Sequence, residues 1–287
     1  MDVALAVDVG GTKLAVGLVG DDGVVLDRRT APTMGADAEE LWVGLAALIG
    51  TVRTGAEVVC GVGCGGPMEP GGTAVSPLNI HQWRDFPLHD RLTDLLGDVP
   101  VAIDNDAKAL SLGEGWRGAA RGVSDYVAMV VSTGVGGGIV LDGRLLDGAG
   151  GNAGHIGHVI VEPGGRLCAC GAHGCLEAEA SGTAIAAVTG APAAEASPAV
   201  RERTGRLVGR AVASVANLLD LRLAVVAGSV ALGFGEPFFA AAQAELDASA
   251  RISFARGARI VPAGLGGDGP LIGAAAVGWR AIGNLAP

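Results

Sequence analysis

Three cysteines and a histidine lie close together in the segment HVIVEPGGRLCACGAHGCLEAE, residues 158–179. Their spacing, H-x9-C-x-C-x4-C, leaves a disulfide, a redox pair and a bound metal as candidates. The two cysteines of a C-x-C pair cannot easily bond to each other, and three cysteines leave one unpaired. A Cys₃His set fits tetrahedral zinc, and the glycines let the loop fold around the ion. We therefore predict a closed, structural zinc site formed by His158, Cys168, Cys170 and Cys175.

Other assignments remain open for the cysteine-rich segment. Scattered reduced thiols are the alternative to zinc, and His173 is a competing ligand. Cys60 and Cys64 lie in an apolar stretch, so we expect them in the core.

Two glycine-rich turns between predicted strands, DVGGTK and STGVGGG, have the composition of phosphate-binding turns. Glycine lets the backbone approach a phosphate, and hydroxyl and lysine side chains add donors. Neither turn has the spacing of a P-loop or a dinucleotide fingerprint. The predicted phosphate-binding residues are Gly10, Gly11, Thr12 and Lys13 in the first turn and Thr133, Gly134, Gly136 and Gly137 in the second. Ordinary glycine-rich hairpins are the alternative.

Two further strand ends carry candidate nucleotide groups. Asp8 ends the first strand and could hold a metal-bound water near a transferred phosphate. Gly228, in VVAGS, ends a later strand where an adenine nucleoside could lie, although a plain strand–helix turn explains it equally well.

Asp104, Asn105 and Asp106 stand where an apolar strand stops, in AIDNDAKA. Catalytic groups of α/β sheets lie at the carboxyl ends of strands, and a carboxylate there can accept the proton of an attacking substrate hydroxyl. A helix N-cap is the alternative role. The spacing does not distinguish the two aspartates.

The elements that position these groups follow a repeated pattern. Residues 3–9 predict a buried strand, a glycine turn and two more strands follow, and a helix is predicted over about 37–53. Residues 125–148 return to the opening layout. We therefore predict two similar α/β halves facing a cleft, an N-terminal lobe over 1–115 and a C-terminal lobe with the zinc loop over 116–287, with the option that the last helix packs back on the first lobe.

Composition and charge exclude several classes of protein. The 287 residues carry a formal net charge of −10 and no dense run of Lys and Arg, so nucleic acids and anionic membranes are not expected partners. The start lacks the basic region of a signal peptide, and no apolar stretch approaches the roughly 20 residues of a membrane span. We expect a cytoplasmic protein, which disfavours disulfides.

The order and spacing of DVGGTK, DND, STGVGGG, GHIGH and CACGAHGCLE resemble the ROK family of repressors and sugar kinases. The resemblance runs from about residue 3 to the end of the sequence. It implies a two-lobed, actin-like ATPase (ribonuclease H-like) fold with ATP and sugar in the interlobe cleft. It also implies transfer of the γ-phosphoryl group to a sugar hydroxyl, usually at C6, with Mg²⁺, and a homodimer.

The resemblance also implies roles for individual residues. Asp106 would be the catalytic base, with Asn105 holding the sugar beside it. The sugar-lining segment LNIHQW would contribute Asn79 and Trp83. Glu177 would accept hydrogen bonds from sugar hydroxyls, and His158 would contact both zinc and sugar.

One position departs from the family pattern. Many ROK glucokinases have glutamate where this chain has His155, and histidine is bulkier and need not be charged. The stretches AGHIGH and GSVAL are more similar to the family's N-acetylmannosamine kinases, so N-acetylmannosamine is favoured over glucose. A packed histidine is the alternative for His155. A non-catalytic, sugar-sensing ROK protein is the alternative for the whole chain. DNA binding is not expected, because the first phosphate motif begins at Asp8 and leaves no room for a preceding helix-turn-helix.

Overall fold

The computed structural model describes residues 1–285, which divide into two compact units. Unit 1 comprises Met1–Arg121, Asp147–Ala153 and the chain from Gly264 onward, and unit 2 comprises Gly122–Leu146 and Gly154–Ala263. The first boundary therefore falls after Arg121 rather than after residue 115. Two later stretches of the expected C-terminal lobe belong to unit 1.

Unit 1 is built on a five-stranded sheet. Its strands and helices are β1 Val3–Val9, β2 Lys13–Gly20, β3 Val25–Pro32, α1 Ala38–Gly50, β4 Glu57–Cys64, α2 Leu88–Leu96, β5 Val101–Asn105, α3 Asp106–Arg117 and, at the far end of the chain, α9 Gly269–Ala281. The strand order is β3-β2-β1-β4-β5. The first three strands form an antiparallel meander, and β1, β4 and β5 are parallel.

Helix α1 begins and ends close to the limits predicted from its apolar spacing. Asp37 is its N-cap, and the carboxylate accepts the Glu40 N–H at 2.9 Å. Such a cap satisfies one of the backbone donors that a helix leaves unpaired in its first turn. The helix buries Leu41, Leu45 and Ile49 against the sheet and ends at Gly50.

Helix α9 packs on the sheet of unit 1 and closes a second part of its core. Leu271, Ala274 and Trp279 are buried with side chains of β1, β2 and β4. The approach is close because Gly61 of β4 has no side chain: a Cβ there would lie 2.0 Å from the Ala274 carbonyl oxygen. Small residues on both elements therefore fix where this helix sits.

Unit 2 repeats the sheet of unit 1. Its elements are β6 Tyr126–Val131, β7 Val135–Leu141, β8 Arg144–Leu145, α4 Leu176–Ala180, α5 Gly182–Thr189, α6 Pro198–Leu219, β9 Leu223–Ala227, α7 Ser229–Phe234, α8 Glu236–Ser249 and β10 Arg259–Pro262. The strand order β8-β7-β6-β9-β10 matches β3-β2-β1-β4-β5, with the same parallel and antiparallel pairs.

The matched strand orders confirm the repeated α/β layout read from residues 125–148. Each unit is an antiparallel meander extended by two parallel strands, which is the sheet of the actin-like ATPase fold. The predicted fold class is therefore confirmed. Among residues 1–285, no helix is long and apolar enough to cross a membrane.

Candidate active site and metal centre

The parallel strands of unit 1 bring the predicted acidic residues to one edge of the sheet. Asp8 of β1 pairs in register with Gly63 of β4, which pairs in turn with Asp104 of β5. Asn105 and Asp106 follow directly. Because the carboxyl ends of parallel strands meet at a common edge, two segments far apart in sequence contribute to one acidic patch.

The two aspartates of AIDNDAKA differ in what surrounds them. Asn105 is the N-cap of α3, and its side-chain oxygen accepts the Ala107 N–H at 3.0 Å; Asp106 Oδ1 also accepts this N–H, at 2.8 Å. Asp106 is the first helical residue, and it is exposed. Asp104 is only 17% exposed and contacts Lys108 at 3.1 Å. Of the two, Asp106 is the carboxylate that a substrate can reach.

Lys108 is the centre of a charged cluster beneath this edge. Its side chain is 3% exposed, and the ammonium donates to Asp147 at 2.7 Å and to the Gly151 carbonyl at 3.2 Å. Arg280 adds a second cation 3.3 Å from Asp147. Burial raises the pKa of Asp104, and the positive charge of Lys108 opposes that rise. The cluster ties β5 and α3 to the segment Asp147–Ala153.

Replacing Lys108 by methionine should destabilise unit 1 by about 3 kcal/mol, because the partly buried Asp104 loses its nearest cation and keeps only Arg280, at 4.0 Å. Urea denaturation of the variant and the wild type measures this loss. Asp147→Asn is the matched control: Asp147 is 52% exposed, so its loss should cost less than about 1 kcal/mol. Equal losses of unfolding free energy in the two variants would contradict the expectation that the buried Lys108 contributes more than the exposed Asp147.

Asp8 is a carboxylic acid held in an unfavourable environment for its charge. Burial and the negative charge of Asp106 raise the pKa of Asp8 to about 7, while Lys13 opposes the rise. A Cβ added to Gly63 would lie 3.8 Å from Asp8 Oδ1 and 3.6 Å from the Asp106 Cα, so both residues border the same glycine. The positive charge near these two carboxylates does not balance their negative charge. A hard cation such as Mg²⁺ fits such a site.

The first glycine turn joins this acidic edge. Gly10 donates its N–H to the Lys13 carbonyl at 3.1 Å and closes the β1–β2 turn. Gly11 lies against Asn79: a Cβ at Gly11 would be 2.5 Å from the Asn79 Cβ, so no larger residue fits without a shift. Gly11, Thr12, Lys13 and Asn79 are all exposed. The structure therefore brings a predicted phosphate turn and a predicted sugar residue side by side.

Trp83 does not line this surface, contrary to what the resemblance implied. Its side chain is fully buried and stacks on Phe86 with ring centroids 4.4 Å apart. The indole N–H donates to the Ala38 carbonyl at 3.3 Å. Trp83 is a core residue because the segment that follows Asn79 turns inward onto α1.

The second glycine turn lies in unit 2, between β6 and β7. Of its predicted phosphate residues, Gly136 and Gly137 lie instead within β7, paired with Val130 and Met129, and Gly137 is buried, so the prediction is wrong for these two glycines.

The turn after β9 lies next to the second glycine turn: the Ser132 and Ser229 hydroxyl oxygens are 2.9 Å apart. Gly228 has a φ of 100°, and a Cβ there would lie 2.3 Å from the Val131 carbonyl, so this position requires glycine. The turns containing Thr133 and Gly228 thus form one polar edge. Neither serine is among the predicted nucleotide-binding residues, although each follows a predicted strand.

The predicted zinc ligands come together in unit 2. One ligand atom from each of His158, Cys168, Cys170 and Cys175 lies within 4.8 Å of all the others. The Cys168 sulfur is 3.7 Å from His158 Nδ1, and the Cys170 and Cys175 sulfurs are 3.6 Å apart. Zn–S bonds of about 2.3 Å in a tetrahedron put sulfurs roughly 3.8 Å apart, so the donor set fits zinc.

The other candidates for this centre lie elsewhere. His173 is not in the ligand group, and its Nδ1 is 2.9 Å from the Gly165 carbonyl oxygen. All five cysteines are free thiols. Cys60 and Cys64 are buried in β4, and burial raises the pKa of the Cys60 thiol to about 12. Such thiols behave as small apolar core residues.

Two further predicted sugar residues lie near the metal ligands. The exposed His155 ring is 6.0 Å from the His158 ring, measured between centroids. Glu177 is two residues after Cys175 and is partly buried. One of its carboxylate oxygens accepts the Val135 N–H at 2.8 Å, so this side chain also contacts the second glycine turn.

Known proteins similar to this chain include sugar kinases and a regulator. It is 39% identical over 247 residues to an N-acetylmannosamine kinase of Escherichia fergusonii, covering 80% of this chain and 84% of the relative. The structure of a ROK family glucokinase from Streptomyces griseus, in complex with glucose and AMPPNP, superposes with a TM-score of 0.83 at 30% identity, covering 97% and 99% of the two chains.

A third similarity extends to a protein of another class. The structure of a ROK family transcriptional regulator, a homologue of the E. coli MLC protein, superposes with a TM-score of 0.82 at 23% identity. The match covers 96% of this chain and 77% of the regulator, and it shows a common fold. The model of the ROK family matches residues 4–280. The chain belongs to the ROK family.

Proposed function

We propose that this protein is a kinase that transfers the γ-phosphoryl group of ATP to the 6-hydroxyl of a hexose or an N-acylhexosamine, with N-acetylmannosamine as the preferred sugar. The observation that carries the proposal is the exposed carboxylate of Asp106 at the start of α3, beside Asp8 and the first glycine turn. The 39% identity to an N-acetylmannosamine kinase supports the choice of sugar.

Asp106 would act as the general base. The sugar hydroxyl oxygen would form a bond to the γ-phosphorus as its proton passes to the Asp106 carboxylate. The bond from that phosphorus to the bridging oxygen would break, and ADP would leave with the electron pair. Asn105, whose side chain is fixed as the helix cap, would orient the hydroxyl beside the base.

The two glycine turns would hold phosphate oxygens. In unit 1 the donors would be the Gly11 N–H and the side chains of Thr12 and Lys13, while Gly10, whose N–H donates to the Lys13 carbonyl, closes the turn. In unit 2 they would come from Thr133 and Gly134, with Gly228 near the nucleoside. A bound Mg²⁺ would neutralise phosphate charge. Asp8, whose raised pKa marks a site short of positive charge, would face that cation through water.

Sugar-binding roles would fall to a separate set of side chains in each unit. In unit 1, Asn79 borders the first turn. In unit 2, His158 belongs to the metal-ligand group, His155 lies beside it, and Glu177 follows the ligand Cys175 by two residues. Zinc on the Cys₃His group would brace the loop that carries them. A neutral histidine at position 155 can donate to an acetamido carbonyl oxygen, which suits an N-acyl sugar.

We expect about one zinc per chain, and Cys170→Ser should lose it together with most of the sugar affinity, because a hydroxyl is a poor ligand in a Cys₃His site. Elemental analysis and sugar titration measure the two effects. His173→Ala is the matched control: this exposed histidine of the same loop lies outside the ligand group, so zinc content should not change. Zinc lost in both variants would contradict the assigned ligands.

A coupled ADP-release assay over N-acetylmannosamine, glucose, N-acetylglucosamine and mannose tests the proposed activity. The highest kcat/KM is expected for N-acetylmannosamine. A preference for glucose would make the protein a glucokinase of the family. No turnover of any sugar by a folded, zinc-loaded protein would favour the sugar-sensing alternative and refute the kinase.

A further inference from the structure

Glu177 joins the metal-ligand loop to the second glycine turn. It lies two residues after the ligand Cys175, in the first turn of α4. Its Oε2 accepts the Val135 N–H at 2.8 Å, and a Cβ at Gly134 would lie only 2.8 Å from the same oxygen. The carboxylate therefore fills the space against the turn where any other residue at position 134 would carry its side chain.

The start of α5 adds three more bonds to the same turn. The Gly182 N–H donates to the Ser132 carbonyl at 2.7 Å. The Thr183 N–H and hydroxyl both donate to the Thr133 carbonyl, at 3.3 and 2.9 Å. Residues 177–183 thus hold the backbone of the second glycine turn through four hydrogen bonds, and we call this segment the cradle. Of the four bonds, the one to Glu177 is nearest in sequence to the metal ligands.

The other end of the cradle depends on the metal-ligand loop. The Leu176 N–H donates to the Val159 carbonyl at 2.9 Å, next to His158, and Cys175 pairs with Ile160 in an isolated bridge. Leu176 itself is fully buried. Between these points the chain is glycine-rich and exposes Leu167, and backbone bonds cross the loop, among them Val161 N–H to the Gly174 carbonyl at 2.9 Å. Metal bound to the four ligands would add the bonds that join His158 to the three cysteines.

We infer that Glu177 is a positioning residue that makes phosphate binding at the second glycine turn depend on metal bound to His158, Cys168, Cys170 and Cys175. A turn whose amides are held in place binds an anion better than one that must be ordered on binding. The inference deepens the proposed function, because it rests on the nucleotide role given to that turn. In the proposed function the metal supports the sugar site; here it also supports phosphate binding at the second glycine turn.

Nucleotide titration of zinc-loaded and chelator-stripped protein tests the dependence, with MgADP as the probe and zinc content measured in each sample. Stripping the wild type should weaken MgADP binding roughly 5- to 10-fold, the range for losing one well-placed hydrogen bond. Glu177→Ala should show the same weakening with zinc still bound, and stripping it should then weaken binding by less than about 2-fold. Glu177→Gln retains an acceptor for Val135 and should restore the metal dependence.

Hydrogen–deuterium exchange of the peptide spanning residues 131–137 gives a readout that needs no nucleotide. Removing zinc should speed its exchange in the wild type and in Glu177→Gln, with little further change in Glu177→Ala. Gly134→Ala breaks the same contact from the side of the turn, so it decides the question if Glu177→Ala does not fold. Glu195→Ala, which removes an exposed carboxylate of unit 2, is the control and should behave as the wild type.

Two results would overturn the inference. One is a stripped wild type whose exchange over 131–137 is unchanged. The other is a Glu177→Ala or Gly134→Ala variant that responds to zinc removal as strongly as the wild type. If no form binds MgADP while the exchange responds as expected, the coupling stands and the proposed function fails, so the two failures are distinguishable.

Discussion

Asp106→Asn should lower kcat by roughly 10²- to 10⁴-fold with a small change in the KM for sugar and ATP, because the amide cannot take the proton of the attacking hydroxyl. The side chain is exposed at the first position of α3, so the substitution disturbs no packing. The fold and the zinc content should be those of the wild type. Steady-state kinetics with N-acetylmannosamine measures the effect.

Asp104→Asn is the control for the base, two residues away on the same segment. Asp104 is paired with Lys108 beneath the acidic edge, so its neutralisation should affect stability and leave kcat within a few-fold. The comparison separates a chemical role from a general effect of removing one negative charge. If Asp104→Asn lost most of its kcat while Asp106→Asn stayed active, Asp104 would be the base and Asp106 would not.

Asp8→Asn should make the protein more stable at and above pH 7 while it impairs catalysis. Burial and Asp106 raise the pKa of Asp8 from 3.8 to about 7 in the folded chain, whereas the unfolded chain keeps the ordinary value. The folded state therefore binds the Asp8 proton more tightly than the unfolded state does. The stability that this proton contributes is fully present below about pH 4 and is lost as the pH rises to about 7. A shift of about 3 pKa units corresponds to on the order of 4 kcal/mol.

Thermal denaturation of Asp8→Asn and the wild type between pH 4 and 8, without divalent cations, measures this difference. The melting temperatures should be similar near pH 4, and the variant should melt progressively higher as the pH rises. Added Mg²⁺ should narrow the gap at pH 8, because the proposed cation would stabilise the ionised wild type. A variant that is less stable than the wild type at pH 8 would show that the Asp8 charge is well compensated.

Much of the framework could be predicted because it depends on local patterns. The repeated strand–turn–strand layout and the helix over about 37–53 follow from apolar spacing, and the four metal ligands follow from cysteine and histidine spacing. The structure confirms the repeated sheet and gathers the four ligands. Whether those ligands hold zinc stays a prediction for the metal analysis.

Other features could not be predicted because they depend on packing between distant segments. The spacing could not distinguish Asp104 from Asp106, since Lys108, Asp147 and Arg280 meet only in the folded unit. The burial of Trp83 depends on α1, some forty residues earlier in the chain. The return of the last helix to the first lobe is an option from the sequence, but no local pattern indicates that Asp147–Ala153 also belongs to unit 1.

The packing of α9 has a consequence for biosynthesis. Its Leu271, Ala274 and Trp279 complete the hydrophobic layer over Ala4, Ala6 and Val59, yet the ribosome makes this helix after all of unit 2. The face of the unit 1 sheet that α9 covers therefore stays uncovered while more than a hundred intervening residues are translated. During that interval the nascent chain exposes apolar surface that chaperones recognise.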